Sequence, residues 1–120
     1  MSHIVTVHTK VFDSAAVALA CQRLKLAAPA RGTAQLFGGT VTGLLVELPD
    51  WKYPAVIDTT TGTVAFDNYE GRWGDQKELD RFLQMYAVEK AKLEAHAKGY
   101  PVTEQALENG SVKLEIIERA

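Results

Sequence analysis

Residues 34–67, AQLFGGTVTGLLVELPDWKYPAVIDTTTGTVAFD, contain four short runs, Ala34–Phe37, Thr40–Leu48, Tyr53–Asp58 and Thr63–Asp67, most of them rich in β-branched residues. Gly38-Gly39, Pro49-Asp50 and Thr61-Gly62 separate them, and glycine and proline are the residues that turn an extended chain. No gap between the runs has room for a helix. The four therefore read as consecutive strands of an antiparallel meander. Pro54 lacks a main-chain donor, which makes its run an edge strand or one that starts late.

Working outward, His3–Val11 reads as a further strand, with Val5, Val7 and Val11 on the face nearer the core. Asp13 or Ser14 caps a helix that runs to about Lys25, and Ala16, Val17, Ala20 and Leu24 form its buried stripe. Ala27–Gly32, which holds Pro29, is a loop. On the other side, Asp75 followed by Glu78 opens a second helix as a variant capping box. Leu79, Phe82, Leu83, Tyr86, Leu93 and Ala97 recur along it at helical spacing. Lys98, Gly99 and Pro101 stop it: a cation, a glycine suited to the left-handed cap, then proline. Val102–Leu107 and Val112–Glu118 form a closing hairpin across Asn109-Gly110. The order β-α-β-β-β-β-α-β-β predicts an α+β fold: a mostly antiparallel sheet of about seven strands with two helices on one face, as one domain over residues 1–120.

At 120 residues and 47% hydrophobic, the chain can bury one ordinary core. A formal net charge of −2 argues against a nucleic-acid binder, which needs a concentrated basic face. The longest apolar run, Ala15 to Cys21, is too short to cross a bilayer. The opening residues carry no cationic stretch followed by an apolar one, and the lone Cys21 has no disulfide partner within the chain, so the cytoplasm is the expected location.

No catalytic constellation emerges. His3 and His8 are five residues apart on one strand, on opposite faces about 16 Å apart, so one metal cannot take both. His96 suits the dipole at the end of the second helix. Cys21, beside Ala20 and Leu24, reads as a small buried hydrophobe. Asp58–Gly62 lacks the carboxylates of a calcium loop and reads as a turn; Gly38-Gly39 precedes a strand and is no phosphate loop. No metal and no cofactor is expected. Glu89/Lys92 and Glu94/Lys98 are spaced as exposed ion pairs on a solvated helix face, with docking as that face's second reading.

Residues 66–75 are harder to read as a plain connection. Between a strand and a helix start they gather two glycines, Gly71 and Gly74, with Arg72 and the aromatics Phe66, Tyr69 and Trp73. Loops of this composition carry contacts in many small domains. Either Trp73 packs on the core and the glycines merely turn the chain, or Tyr69, Arg72 and Trp73, with Tyr86 nearby, bind something.

Met1-Ser2-His3 running into Ile4–Lys10, Asp67-Asn68-Tyr69 with Trp73-Gly74, Gln84-Met85-Tyr86-Ala87 and Asn109–Leu114 together span nearly the whole chain. In these the chain resembles a small family called domain of unknown function twelve-fifty-seven, of bacteria, phages and some plastid genomes. The resemblance brings no reaction, cofactor or catalytic residue. It implies an accessory role beside AAA-type ATPases. The expected function is a non-catalytic adaptor that binds a protein partner, such as an AAA-type ATPase, through the second helix and the 66–75 loop. The alternative is a protein that binds, or an enzyme that acts on, an anionic small molecule. A helix of about 36 Å, at 1.5 Å per residue, should also overhang a domain of this size, which favours a homodimer through that helix.

Overall fold

The computed structural model describes residues 4–118, so His3 and the opening Met1-Ser2 lie outside the described residues. β1 (Val5–His8) leads to α1 (Ser14–Arg23), then β2 (Ala30–Leu36), β3 (Gly39–Val46), β4 (Ala55–Asp58) and β5 (Thr63–Phe66). After a 3-10 turn at Tyr69–Gly71 come α2 (Gln76–Ala97), β6 (Val102–Ala106) and β7 (Val112–Ile116). The element order and the α+β class are those expected. The seven strands, however, divide into two antiparallel sheets: five strands in the order β1-β5-β4-β3-β2, and the β6-β7 hairpin by itself.

Local chemistry sets the ends. Asp13 caps α1 by accepting hydrogen bonds from the amides of Ala15 and Ala16, and the left-handed Lys25 (φ 59°) ends it. Asp75 caps α2 by accepting from the Lys77 amide. β1 stops at His8, three residues short of the expected Val11, because Lys10 turns left-handed at φ 59°. Val11 is still buried at the rim of the core. β2 starts at Ala30 and so takes in Arg31 and Gly32, expected as loop. Its hairpin with β3 turns at Phe37 and Gly38, since Leu36 pairs with Gly39. Phe37 is therefore a turn residue, not the end of a strand. Pro54 delays β4 to Ala55, in the centre of the sheet rather than at its edge.

Both helices lie on one face. Ala16, Val17, Ala20 and Cys21 of α1 and Leu79, Phe82 and Tyr86 of α2 share one buried cluster with Leu44, Val46, Ile57, Val64 and Phe66 of the sheet. Burying a leucine- or phenylalanine-sized side chain contributes about 1.5–3 kcal/mol. The stripe on α2 differs from the expected one: Ala97 is exposed, while Val88, Glu89 and Ala95 are buried.

The opposite face holds a second cluster: Ala34, Leu36 and Val56 with Ile4, Val41, Leu45 and Tyr53. No helix covers it. The sheet curls over it instead, until the β2–β3 turn meets Ile4 beside the other edge strand; a Cβ on Gly38 would stand 3.4 Å from Ile4 Cγ1. Gly43 permits the bend, because a Cβ there would strike the carbonyl oxygen of Ile57. A glycine at such a close backbone approach is what a coiled sheet requires.

Candidate functional site

The loop from β5 to α2 is built from main-chain hydrogen bonds around Asn68. The Asn68 carbonyl accepts from the amides of Gly71 (3.0 Å) and Trp73 (2.9 Å), and the Tyr69 carbonyl accepts from Arg72 (3.0 Å). The buried Asn68 side chain donates to the carbonyl of Gly74 at 3.2 Å. Three consecutive residues are left-handed: Tyr69 (φ 48°), Glu70 (φ 52°) and Gly71 (φ 97°). For glycine this is free, but a side-chain-bearing residue pays roughly 1–2 kcal/mol.

Residues 51–52 anchor the loop from below. The Trp51 indole N–H donates to the Asp75 carbonyl at 3.0 Å, and the Lys52 amide donates to the Trp73 carbonyl at 2.8 Å. Trp51, not Trp73, is the tryptophan of the main core, 5.7 Å from the Phe66 ring. Its indole lies flush against Gly74, where an added Cβ would come within 2.6 Å of Trp51 Cε2. Gly74 thus serves close packing. The expectation that the loop glycines simply permit turning holds for Gly71, which faces open space.

Trp73 belongs to neither buried cluster. It is the hub of a surface group of four rings. Tyr69 lies 4.7 Å from it, Phe37 5.4 Å and Tyr53 5.7 Å, centroid to centroid. Two cations complete the group. Lys52 Nζ stands 4.4 Å from the Trp73 ring and 5.5 Å from Tyr53, and Arg72 Cζ lies 5.1 Å from Tyr69. These are cation–π distances, each worth about 0.5–1 kcal/mol where water has access. Phe37, 61% exposed at the tip of its hairpin, stands over the half-buried rings.

Of the four residues singled out from sequence, Tyr69, Arg72 and Trp73 come together here. Tyr86 does not. It is buried under α1, where its hydroxyl accepts from the Asp13 amide at 3.1 Å, so its place in the candidate site is corrected to one in the core. Phe37, Lys52 and Tyr53 belong to the site and were not expected there. The available signal was Phe37 beside Gly38-Gly39, an aromatic at a turn.

Several charged side chains outside this group pair across elements of the fold. Among the described residues no group of three or more histidine, cysteine or acidic side chains could hold a metal ion. Burial pushes the Cys21 thiol up, away from the reactive thiolate. Glu89, expected on the solvated face of α2, is buried beneath Arg23 of α1 at 3.1 Å, with Lys92 at 3.3 Å. Arg23 also pairs with Glu104 of β6, and this bonding holds its guanidinium even more firmly protonated. Glu94 pairs with Lys90 at 3.5 Å rather than with Lys98. Lys90 in turn reaches Asp13 at 3.0 Å. Asp67 is buried, and its Oδ2 has no hydrogen-bond partner among the described residues.

The exposed side of α2 contributes Lys77, Asp80, Arg81 and Gln84 to an open groove of about 420 Å³, closed on its far side by Asn109, Gly110 and Ser111 at the hairpin tip. No helix among the described residues is long and apolar enough to cross a membrane. Comparison of the chain with protein-family models, curated proteins and solved structures yields no match.

Proposed function

We propose that the chain is a non-catalytic binding protein and that the Phe37, Tyr53, Tyr69 and Trp73 group, flanked by Lys52 and Arg72, receives a segment of a protein partner. The observation that carries this reading is Phe37, 61% exposed above three further rings. A lone exposed phenylalanine needs no explanation, but a ring cluster does. Tryptophan, tyrosine and arginine also dominate the energetics of protein interfaces. Two cations at the rim favour a segment that couples apolar side chains with a carboxylate. The α2 groove beside the hairpin tip extends the same docking reading to the second helix. An AAA-type ATPase is the first partner to test, on the strength of the family resemblance alone.

The test is capture from lysate on immobilised wild-type chain beside Phe37→Ser and Arg72→Ala. Both side chains are exposed, so melting should fall by no more than about 5 °C. A defined protein held by wild type should fall about tenfold or more on each variant, as truncating interface anchors does. Equal recovery on all three would sink the reading. Lys52 and Arg72 also keep an anionic small molecule open as the ligand; competition of the captured protein by small anions would favour that alternative.

A further inference from the structure

We infer that β7 is a homodimerisation edge: it pairs antiparallel with β7 of a second copy about a twofold axis at Leu114. Among the described residues the β6–β7 hairpin pairs with no other strand. A two-stranded ribbon standing alone is marginal in water. Its charged anchor to the body is the Arg23–Glu104 pair, and Leu107, Ile116 and Ile117 remain 40%, 37% and 48% exposed.

Hydrogen bonding identifies the free edge. Leu107 donates to the Ser111 carbonyl (2.8 Å) and Ile117 to that of Pro101 (3.0 Å). With Val102 opposite Ile116 and Ala106 opposite Val112, the odd-numbered residues of β7 turn their main chain toward β6. The main-chain groups of Val112, Leu114 and Ile116 therefore point outward, since successive residues of a strand alternate.

The side chains then select both the occupant and the register. With Leu114 on the axis, Leu114 meets its own copy and Val112 meets Ile116 of the second copy. Lys113 meets Glu115, and Glu115 meets Lys113. Each outward-pointing residue exchanges two main-chain hydrogen bonds in this pairing, as facing antiparallel residues do. Opposite charges face each other at both charged positions, which stabilises a cross-strand pair. A shift that centres Lys113 or Glu115 would set like charges against each other. β6 has no such self-complementarity, because its central Glu104 would face its own copy and is already bound by Arg23. The partner is therefore a second copy, joined through β7, and the self-association expected through α2 moves to the hairpin.

Sedimentation of the full chain tests this. Wild type should dimerise at or below about 100 μM, with a mass that depends on concentration. Lys113→Glu and Glu115→Lys each set like charges opposite one another at both symmetric positions, and each should weaken the dimer about tenfold or more. Both side chains are exposed, so the fold should survive. An equimolar mixture of the two variants recreates opposite charges across the axis and should recover a mixed dimer of wild-type strength. A strict monomer at about 100 μM, a dimer indifferent to either substitution, or weakened variants that fail to recover on mixing would each overturn the proposal.

Discussion

Gly74→Ala should unfold this protein more readily through sterics alone. The backbone at Gly74 is not left-handed, so alanine carries no conformational penalty there. Its Cβ, however, would lie 2.5 Å from Trp51 Cγ and 2.6 Å from Cε2. Carbon atoms rest about 3.5–4.0 Å apart, so about 1 Å of overlap must be relieved. The indole has little room to retreat, being buried and braced on Phe66. If the loop retreats instead, it stretches the bond from Trp51 to the Asp75 carbonyl and that from Asn68 to the Gly74 carbonyl. Overpacking costs about 1–3 kcal/mol, and a weakened hydrogen bond adds about 1 kcal/mol. The expected loss is about 2–4 kcal/mol, a fall in Tm of roughly 8–16 °C for a domain of this size. Urea unfolding followed by tryptophan fluorescence measures it. Gly71→Ala is the control: φ is 97° with open space around it, so only a backbone cost of about 1–2 kcal/mol applies. A Gly74→Ala protein within about 0.5 kcal/mol of wild type would refute the packing argument.

Asp13→Ala removes the acceptor for two α1 amides and should cost about 1 kcal/mol in urea unfolding, most of it restored by Asp13→Asn. Lys90, bonded to its side chain, and the Ala15 and Ala16 amides hold the Asp13 carboxyl below its ordinary value of 3.8. Its ionic contribution is therefore present above that pH and lost as pH falls through the lower folded value, so the stability gap to Asp13→Asn should close in acid. Tyr86→Phe should lose about 1 kcal/mol with the bond to the Asp13 amide and leave partner capture unchanged. Trp51→Ala should cost about 3–5 kcal/mol as a core deletion. The half-buried Trp73→Ala should cost roughly half as much yet abolish capture; a Trp73→Ala protein that captures normally would remove the ring cluster from any binding role.

The parts of this fold that are legible in sequence are those set by nearest neighbours. α2 could be read because Asp75 and Gly99 each act on a helix end within a few residues, and the apolar spacing between them is a local repeat. The meander could be read because glycine and proline leave no room for a helix. The split into two sheets could not, since strand pairing is a long-range choice and nothing in Val102–Ala106 says whether it joins the larger sheet. The buried stripe on α2 departs from the one its apolar spacing predicts because the helix packs against α1 and then meets the closing hairpin. That environment buries Glu89 between Arg23 and Lys92, against the usual preference of glutamate for water. The candidate site was half legible. Tyr69, Arg72 and Trp73 are close in sequence, whereas Tyr53 reaches Trp73 through the bond from the Lys52 amide to the Trp73 carbonyl, and Phe37 through the β2–β3 turn, both long-range contacts.

The backbone of residues 66–75 also bears on what the loop is for. Lys10, Lys25 and Asp50 are left-handed singly, whereas the connection from β5 to α2 holds two such residues in succession, Tyr69 and Glu70. That conformation is held by the bonds converging on the Asn68 carbonyl and by the fit of Gly74 against Trp51. The consequence of so much constraint is specific: the Trp73 ring is held off the main core and in contact with Tyr69, Tyr53 and Phe37, from three different parts of the chain. Strain that persists where the surroundings over-determine it is more common at binding sites than in plain connections. Packing alone would have been served by folding Trp73 inward. Its half-buried ring beside Arg72 and Lys52 is the surface on which the proposed docking role rests.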